Sequence, residues 1–126
     1  MVKTAHSILV VEDDITLNEA YKTLLDKAGY KVKTAFNGEE AILVTNESDP
    51  DLIFLDLRMP VMDGISFLKA YKPKEDHPKV KVIVFSNYDM QKEVDEAYKL
   101  GADHYVLKAW ASPKELLHIV KNTLSS

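Results

Sequence analysis

The chain has 126 residues, of which 46% are apolar, with a net charge of −4 and no cysteine. That length suits one domain with a core of its own, spanning residues 1–126. The acidic balance argues against a generic nucleic-acid or anionic-membrane binder, and the missing thiols exclude disulfides, thiolate metal sites and a cysteine nucleophile.

Residues 8–11 (ILVV) predict a first strand, which ends abruptly in Glu12-Asp13-Asp14. Ile15, Leu17, Ala20, Tyr21, Leu24, Leu25 and Ala28 follow at spacings of three and four, a helical stripe with Asp14 as N-cap and Gly29 as stop. Residues 30–35 alternate as a short second strand, with Val32 inward and Lys31 and Lys33 outward. Asn37-Gly38 reads as a turn, and residues 39–47 as a second helix with Ala41, Ile42 and Val44 inward. Residues 52–55 (LIFL) are too short for a buried helix and predict a central strand buried on both faces. It delivers Asp56 to the point where Pro60 and Asp63-Gly64 break the chain into a loop. A third helix follows over residues 65–71. Residues 72–79 hold two prolines and no aliphatic side chain and read as a solvated connection. Residues 80–85 predict a fourth strand that ends at Ser86-Asn87. Asp89 opens a fourth helix with Val94, Ala97, Tyr98 and Leu100 as its apolar set, stopped by Gly101. Residues 104–107 predict a short fifth strand ending at Lys108. Ser112-Pro113, with Glu115 three residues after the serine, marks the start of a final helix carrying Leu116, Leu117, Ile119, Val120 and Leu124.

Five strands alternating with five helices predict an α/β fold: a parallel sheet with helices on both faces, in the flavodoxin-like doubly wound order 2-1-3-4-5. Residues 1–6 do not resemble a signal peptide, and no apolar run approaches the roughly 18 residues of a membrane span, so the expected setting is cytoplasmic, with no membrane contact.

In a parallel sheet every strand end lies on one edge. Glu12 and Asp13 from strand 1 and Asp56 from strand 3 flank the switch point, and Ser86 and Lys108 approach from strands 4 and 5. Clustered carboxylates repel by about 4 kcal/mol per close pair at an effective dielectric near 20, so they must protonate, hydrate or bind a cation. Oxygen ligands without His or Cys suit Mg²⁺ or Mn²⁺. A carboxylate beside such an ion, with a lysine and a hydroxyl to hold phosphoryl oxygens, makes an aspartyl-phosphate site. Asp14 is read instead as a helix cap. The four histidines have no ligand spacing, and Met59 and Met62 are read as packing.

The motifs ILVVEDD (8–14), LDLRMPVMDG (55–64), VFS (84–86), GAD (101–103) and YVLK (105–108) together resemble the receiver domain of two-component response regulators. The resemblance covers essentially the whole chain. It implies Asp56 as phospho-acceptor, with Asp13 as direct Mg²⁺ ligand beside Asp56, Glu12 acting mainly through water, and the backbone carbonyl of Arg58 as a further ligand. Ser86 matches the switch hydroxyl, Lys108 the phosphate-pairing lysine, and Tyr105 the aromatic that swings inward on activation. The implied function is a phosphorylation-dependent switch rather than a turnover enzyme. Its donor would be a histidine kinase or histidine phosphotransfer protein. Its output would be a changed helix 4–strand 5–helix 5 face read by a protein target, with no direct nucleic-acid contact and with a phosphorylation-dependent homodimer as one outcome. No effector segment follows residue 126, which fits a stand-alone regulator or one excised domain.

The chain departs from the family pattern at Ala109, where proline is usual, and at Asn87, where a small residue is common. A trans Lys108–Ala109 bond is expected. Arg58 and Tyr88, each two positions past a switch residue, favour slow autodephosphorylation. Trp110 is read equally as a partner anchor and as filler for the missing proline. Among rivals, a flavin carrier is disfavoured because the three acids at 12–14 would repel its phosphate. A haloacid-dehalogenase-type phosphatase would want a second Asp where Arg58 stands. A pseudo-receiver that acts without phosphorylation is the alternative.

Overall fold

The computed structural model describes residues 6–87 and 90–125, without the side chain of Trp110. Strands β1 (Ser7–Val11), β2 (Lys31–Ala35), β3 (Leu52–Leu55), β4 (Lys81–Ser86) and β5 (His104–Leu107) form one parallel sheet in the order β2-β1-β3-β4-β5, as predicted. Helices α1 (Ile15–Lys27), α2 (Gly38–Glu47), α3 (Gly64–Tyr71), α4 (Gln91–Lys99) and α5 (Pro113–Ser125) connect and follow them.

Side chains alternate across a strand, so the three central strands feed two cores. Leu9, Val11, Ile53, Leu55, Val82 and Val84 pack with Phe67, Leu68, Tyr71 and Ala97 on the side of α2, α3 and α4. Ile8, Val10, Leu52, Phe54, Ile83 and Phe85 pack with Leu25, Leu116 and Val120 on the side of α1 and α5. All four residues of β3 are buried, which is why that strand reads as a continuous apolar run.

Local chemistry sets the helix starts. Asp14 and Asp63 accept from the Leu17 and Ser66 amides and cap α1 and α3. Asn37, read from sequence as part of a turn, caps α2 by accepting from Glu40 N–H, while the Glu40 carboxylate accepts from Phe36 N–H. Before α5, the Ser112 hydroxyl accepts from Glu115 N–H and donates to the Glu115 carboxylate. Thus the expected capping box closes through the serine hydroxyl rather than its backbone amide.

Other expectations also need correcting. The segment 72–79 is not a bare connection: Pro73–Asp76 make one helical turn, and Pro73 is buried. His77 stacks flat on Tyr71 at 4.0 Å, and its Nδ1 lies 2.7 Å from the Asp49 carboxylate, so rings supply the packing that aliphatic residues do elsewhere. Ile15, expected inward, is 70% exposed, and Ala20 and Ala28 of the same stripe are exposed too, because the inward line of α1 runs through Asn18 and Leu25. Tyr98, expected among the inward residues of α4, is likewise exposed. The expected opening of α4 at Asp89 lies outside the described residues.

The loop after β3 is held by close backbone approaches. Gly64 N–H donates to Leu57 O, and a Cβ on Gly64 would stand 2.5 Å from Asp56 O and 2.9 Å from Leu57 Cα. Met62 N–H donates to Pro60 O across Val61, whose φ is +68°, a conformation that a β-branched residue rarely adopts. Met62 O in turn accepts from Gly38 N–H at 2.7 Å. Gly64→Ala is therefore expected to destabilise the protein by about 2 kcal/mol, since the clash is with backbone rather than a movable side chain. Val61→Asn is expected to stabilise it by about 1 kcal/mol, because asparagine tolerates positive φ. Urea unfolding midpoints check both.

Candidate functional site

The C-terminal edge of the sheet collects the groups that the strand ends supply. Glu12 follows β1 and is 2% exposed, Asp56 follows β3 and is 6% exposed, and Ser86 closes β4 with no exposure. Asp13 is exposed. Carboxylate oxygens of Glu12, Asp13 and Asp56 all lie within 4.8 Å of one another. Lys108, just past β5, brings its Nζ to 2.5 Å from Glu12 Oε1 and 3.5 Å from Asp56 Oδ1. Its side chain is 10% exposed, so this is a nearly buried ion pair in which water screens little.

The lysine therefore meets Glu12 more closely than the acceptor it was expected to serve. The other Glu12 oxygen, Oε2, accepts from Asp14 N–H at 3.1 Å. Both Glu12 oxygens thus face donors of the chain itself. One ammonium among three carboxylates leaves the cluster net negative, and the donors are hard oxygens at mutual distances that one small divalent cation could span. The residues present fit Mg²⁺ or Mn²⁺.

Burial pushes the Asp56 carboxyl up to about 6, with the Glu12 and, more weakly, Asp13 charges acting in the same direction. Lys108 and the backbone N–H of Arg58, which donates to Asp56, oppose this without cancelling it. The Arg58 guanidinium itself, half exposed, pairs with Glu93 of α4, so the loop that follows Asp56 is tied to that helix.

Tyr105 stands beside Val84 in the sheet register, half-buried against the core, and its backbone N–H donates to the Tyr98 hydroxyl at 3.1 Å. It is neither fully inward nor fully outward. Lys108–Trp110 form one turn of 3₁₀ helix, and no cis peptide bond occurs among the described residues, so the Lys108–Ala109 bond is trans as expected. Asn87 is exposed beside the site. Tyr88 and the Trp110 side chain lie outside the described residues. The histidines stay apart from the acids at this edge, and Met59 and Met62 pack against the core.

Two residues at this edge escaped the sequence reading. Tyr21, taken only as a stripe residue, packs edge-on to Phe54 and Phe85, and burial together with the charges of Glu12, Asp56 and Asp14 pushes its hydroxyl up to about 12. Asn18 is 3% exposed and donates to the carbonyls of Glu12 and Ala35. The available signal was a polar residue in line with Tyr21 and Leu25 on an otherwise apolar stripe.

The raised Asp56 carboxyl has a consequence for stability. Between pH 3.8 and about 6 the folded protein keeps a proton that the unfolded chain has released, so stability falls as pH rises through that window and the deficit persists above it. Asp56→Asn lacks this penalty. Without divalent cations it is expected to exceed the parent by about 3 kcal/mol at neutral pH and to match it below pH 4. Urea unfolding of both proteins, without divalent cations, at pH values from below about 4 up to about 7 checks this.

A family model, the response regulator receiver domain, matches residues 8–121. The chain is 35% identical over 124 residues to the "Probable transcriptional regulator ycf27" of Pyropia yezoensis, covering 98% of this chain and 49% of that protein. It is 31% identical over 120 residues to the "Probable transcriptional regulator ycf29" of Porphyra purpurea, covering 95% and 57%. The chain thus spans about half the length of these curated relatives. A CheY-like response regulator receiver domain protein from Methanospirillum hungatei JF-1 superposes with a TM-score of 0.89 at 26% identity, over 97% of this chain and 95% of that one. The signal receiver domain of a signal transduction histidine kinase from Syntrophus aciditrophicus gives 0.85 at 33%, over 96% and 91%.

Proposed function

The chain belongs to the response regulator receiver domain family of two-component signalling, and on that premise we propose that it is a switch thrown by phosphorylation of Asp56. The observation that carries this is the convergence of Glu12, Asp13 and Asp56 within 4.8 Å beside an almost buried Lys108. Asp13, Asp56 and the Arg58 carbonyl would hold a Mg²⁺ or Mn²⁺ ion directly, and Glu12 through water. When bound, the ion offsets the acidic charge and orients phosphoryl oxygens.

The donor is a histidine kinase or histidine phosphotransfer protein. An Asp56 carboxylate oxygen attacks phosphorus, the phosphorus–nitrogen bond of the donor's phosphohistidine breaks, and its electron pair leaves with the imidazole. Lys108, already 3.5 Å from Asp56, needs only to trade Glu12 for a phosphoryl oxygen. The Ser86 hydroxyl, at the end of the neighbouring strand, donates to another. Moving Ser86 makes room toward which Tyr105 turns, and the Tyr98 hydroxyl on the Tyr105 amide passes the change to α4. The face of α4, β5 and α5 is then what a protein target, or a second copy of the chain, reads. The populations of two states shift by the difference in their contacts with the phosphoryl group.

Under this reading the protein is no turnover enzyme, and it loses its phosphoryl group slowly, with Arg58 held beside the site. The curated relatives are named transcriptional regulators, but they are about twice as long as this chain. The net charge of −4 gives no support for DNA contact by the chain itself.

Intact mass after treatment with acetyl phosphate and Mg²⁺ tests the proposal. The expected result is a gain of one phosphoryl group in the parent and none in Asp56→Asn. No gain from any donor, together with no binding of beryllofluoride, would overturn it in favour of a pseudo-receiver.

A further inference from the structure

We infer that Asn18 is the positioning residue of the acidic loop, holding Glu12 and Asp13 where a divalent cation needs them. This rests on the reading of Glu12, Asp13 and Asp56 as the cation site.

The β1–β2 ladder runs out at that loop. Glu12 N–H donates to Ala35 O at 3.1 Å, and then the chain leaves the sheet at Asp13. A further residue of β2 would normally serve the Glu12 carbonyl, but β2 ends at Ala35. Glu12 and Ala35 are both buried, so water is a poor substitute. Asn18 takes the place of the absent rung. Its Nδ2 donates to Glu12 O at 2.9 Å and to Ala35 O at 3.1 Å from a side chain only 3% exposed. Its own backbone N–H donates to Asp14 O at 2.8 Å, in the first turn of α1. One residue thus grips the end of β1, the end of β2 and the start of α1.

The residue type follows from this geometry. An amide NH₂ carries two N–H donors on a short, uncharged stem, one for each carbonyl. Leucine has the same bulk and no donor. Aspartate has the same shape, but would set acceptors against two carbonyls and add a fourth negative charge to the edge.

What the grip controls is aim. With the Glu12 carbonyl held, the Glu12 carboxylate reaches Lys108 with one oxygen and Asp14 N–H with the other, and Asp13 brings an oxygen within 4.8 Å of Asp56. Mg²⁺ accepts little deviation from octahedral geometry, so a loop that shifts by a fraction of an ångström loses affinity while the fold survives. Residues that orient ligands without touching the ion typically cost 10–100-fold in affinity when changed.

Calorimetric Mg²⁺ binding to the full chain tests the assignment, using the parent, Asn18→Leu, Asn18→Ser and Thr123→Ala. Thr123 is a buried hydroxyl of α5 that bonds Ile119 O at 2.7 Å, on a helix that supplies none of the acids, and controls for lost stability alone. The expected result is an Mg²⁺ Kd about tenfold or more weaker in Asn18→Leu, a smaller loss in the one-donor Asn18→Ser, and no change in Thr123→Ala. If Asn18→Leu does not fold, Asn18→Ser decides, and parental affinity in whichever variant folds would overturn the assignment. A parent that binds neither Mg²⁺ nor Mn²⁺ would overturn the cation site itself, and the role of Asn18 with it.

Discussion

Three carboxylates and one ammonium at the end of a parallel sheet are the constraint on which the rest of this molecule depends. Like charges at about 4 Å cost about 4 kcal/mol per pair at an effective dielectric near 20. Lys108 answers only part of that, at 2.5 Å from Glu12 and 3.5 Å from Asp56. Burial, reinforced by this imbalance, raises the Asp56 carboxyl.

The fold exists at this edge to keep the imbalance in place. β3 is buried along its whole length between two cores, so Asp56 cannot move outward to water. Gly64 lets α3 begin against the backbone of Asp56 and Leu57, where any Cβ would intrude. Asn18 holds the opposite wall by replacing a missing rung of the sheet. Packed elements thus surround Asp56 on the β1 and β3 sides.

The β4 and β5 sides are built differently. Arg58 reaches from the loop after β3 to Glu93 of α4, and Tyr98 of α4 reaches the backbone of Tyr105. Tyr105 is only half-buried, and β5 is an edge strand with one exposed and three half-buried residues. These contacts are partly solvated and polar, the kind that open at low cost. Substituting Ala109 for the usual proline leaves Lys108 at the start of a 3₁₀ turn with a trans bond, and the lysine still reaches the acids.

Much of this was legible in the residues alone. Short apolar runs and three-and-four spacings set the order of strands and helices, and the polar residue at each strand end named the groups found at this edge: Glu12, Asp13, Asp56, Ser86 and Lys108. The misreadings share a cause. Ile15 looked inward because it is apolar, Asn18 was passed over because it is polar, and residues 72–79 looked unstructured because their packing comes from Pro73 and the His77 ring. Periodicity and residue type are properties of neighbours along the chain, and they determine which elements form and what each strand end carries. Partner choice is not such a property. That Lys108 turns first to Glu12, 96 positions away, that Glu12 has its second oxygen taken by Asp14 N–H, and that Asn18 completes a ladder were decided only when the strands aligned. Buried polar groups must then find donors and acceptors among whatever the packed elements bring within reach.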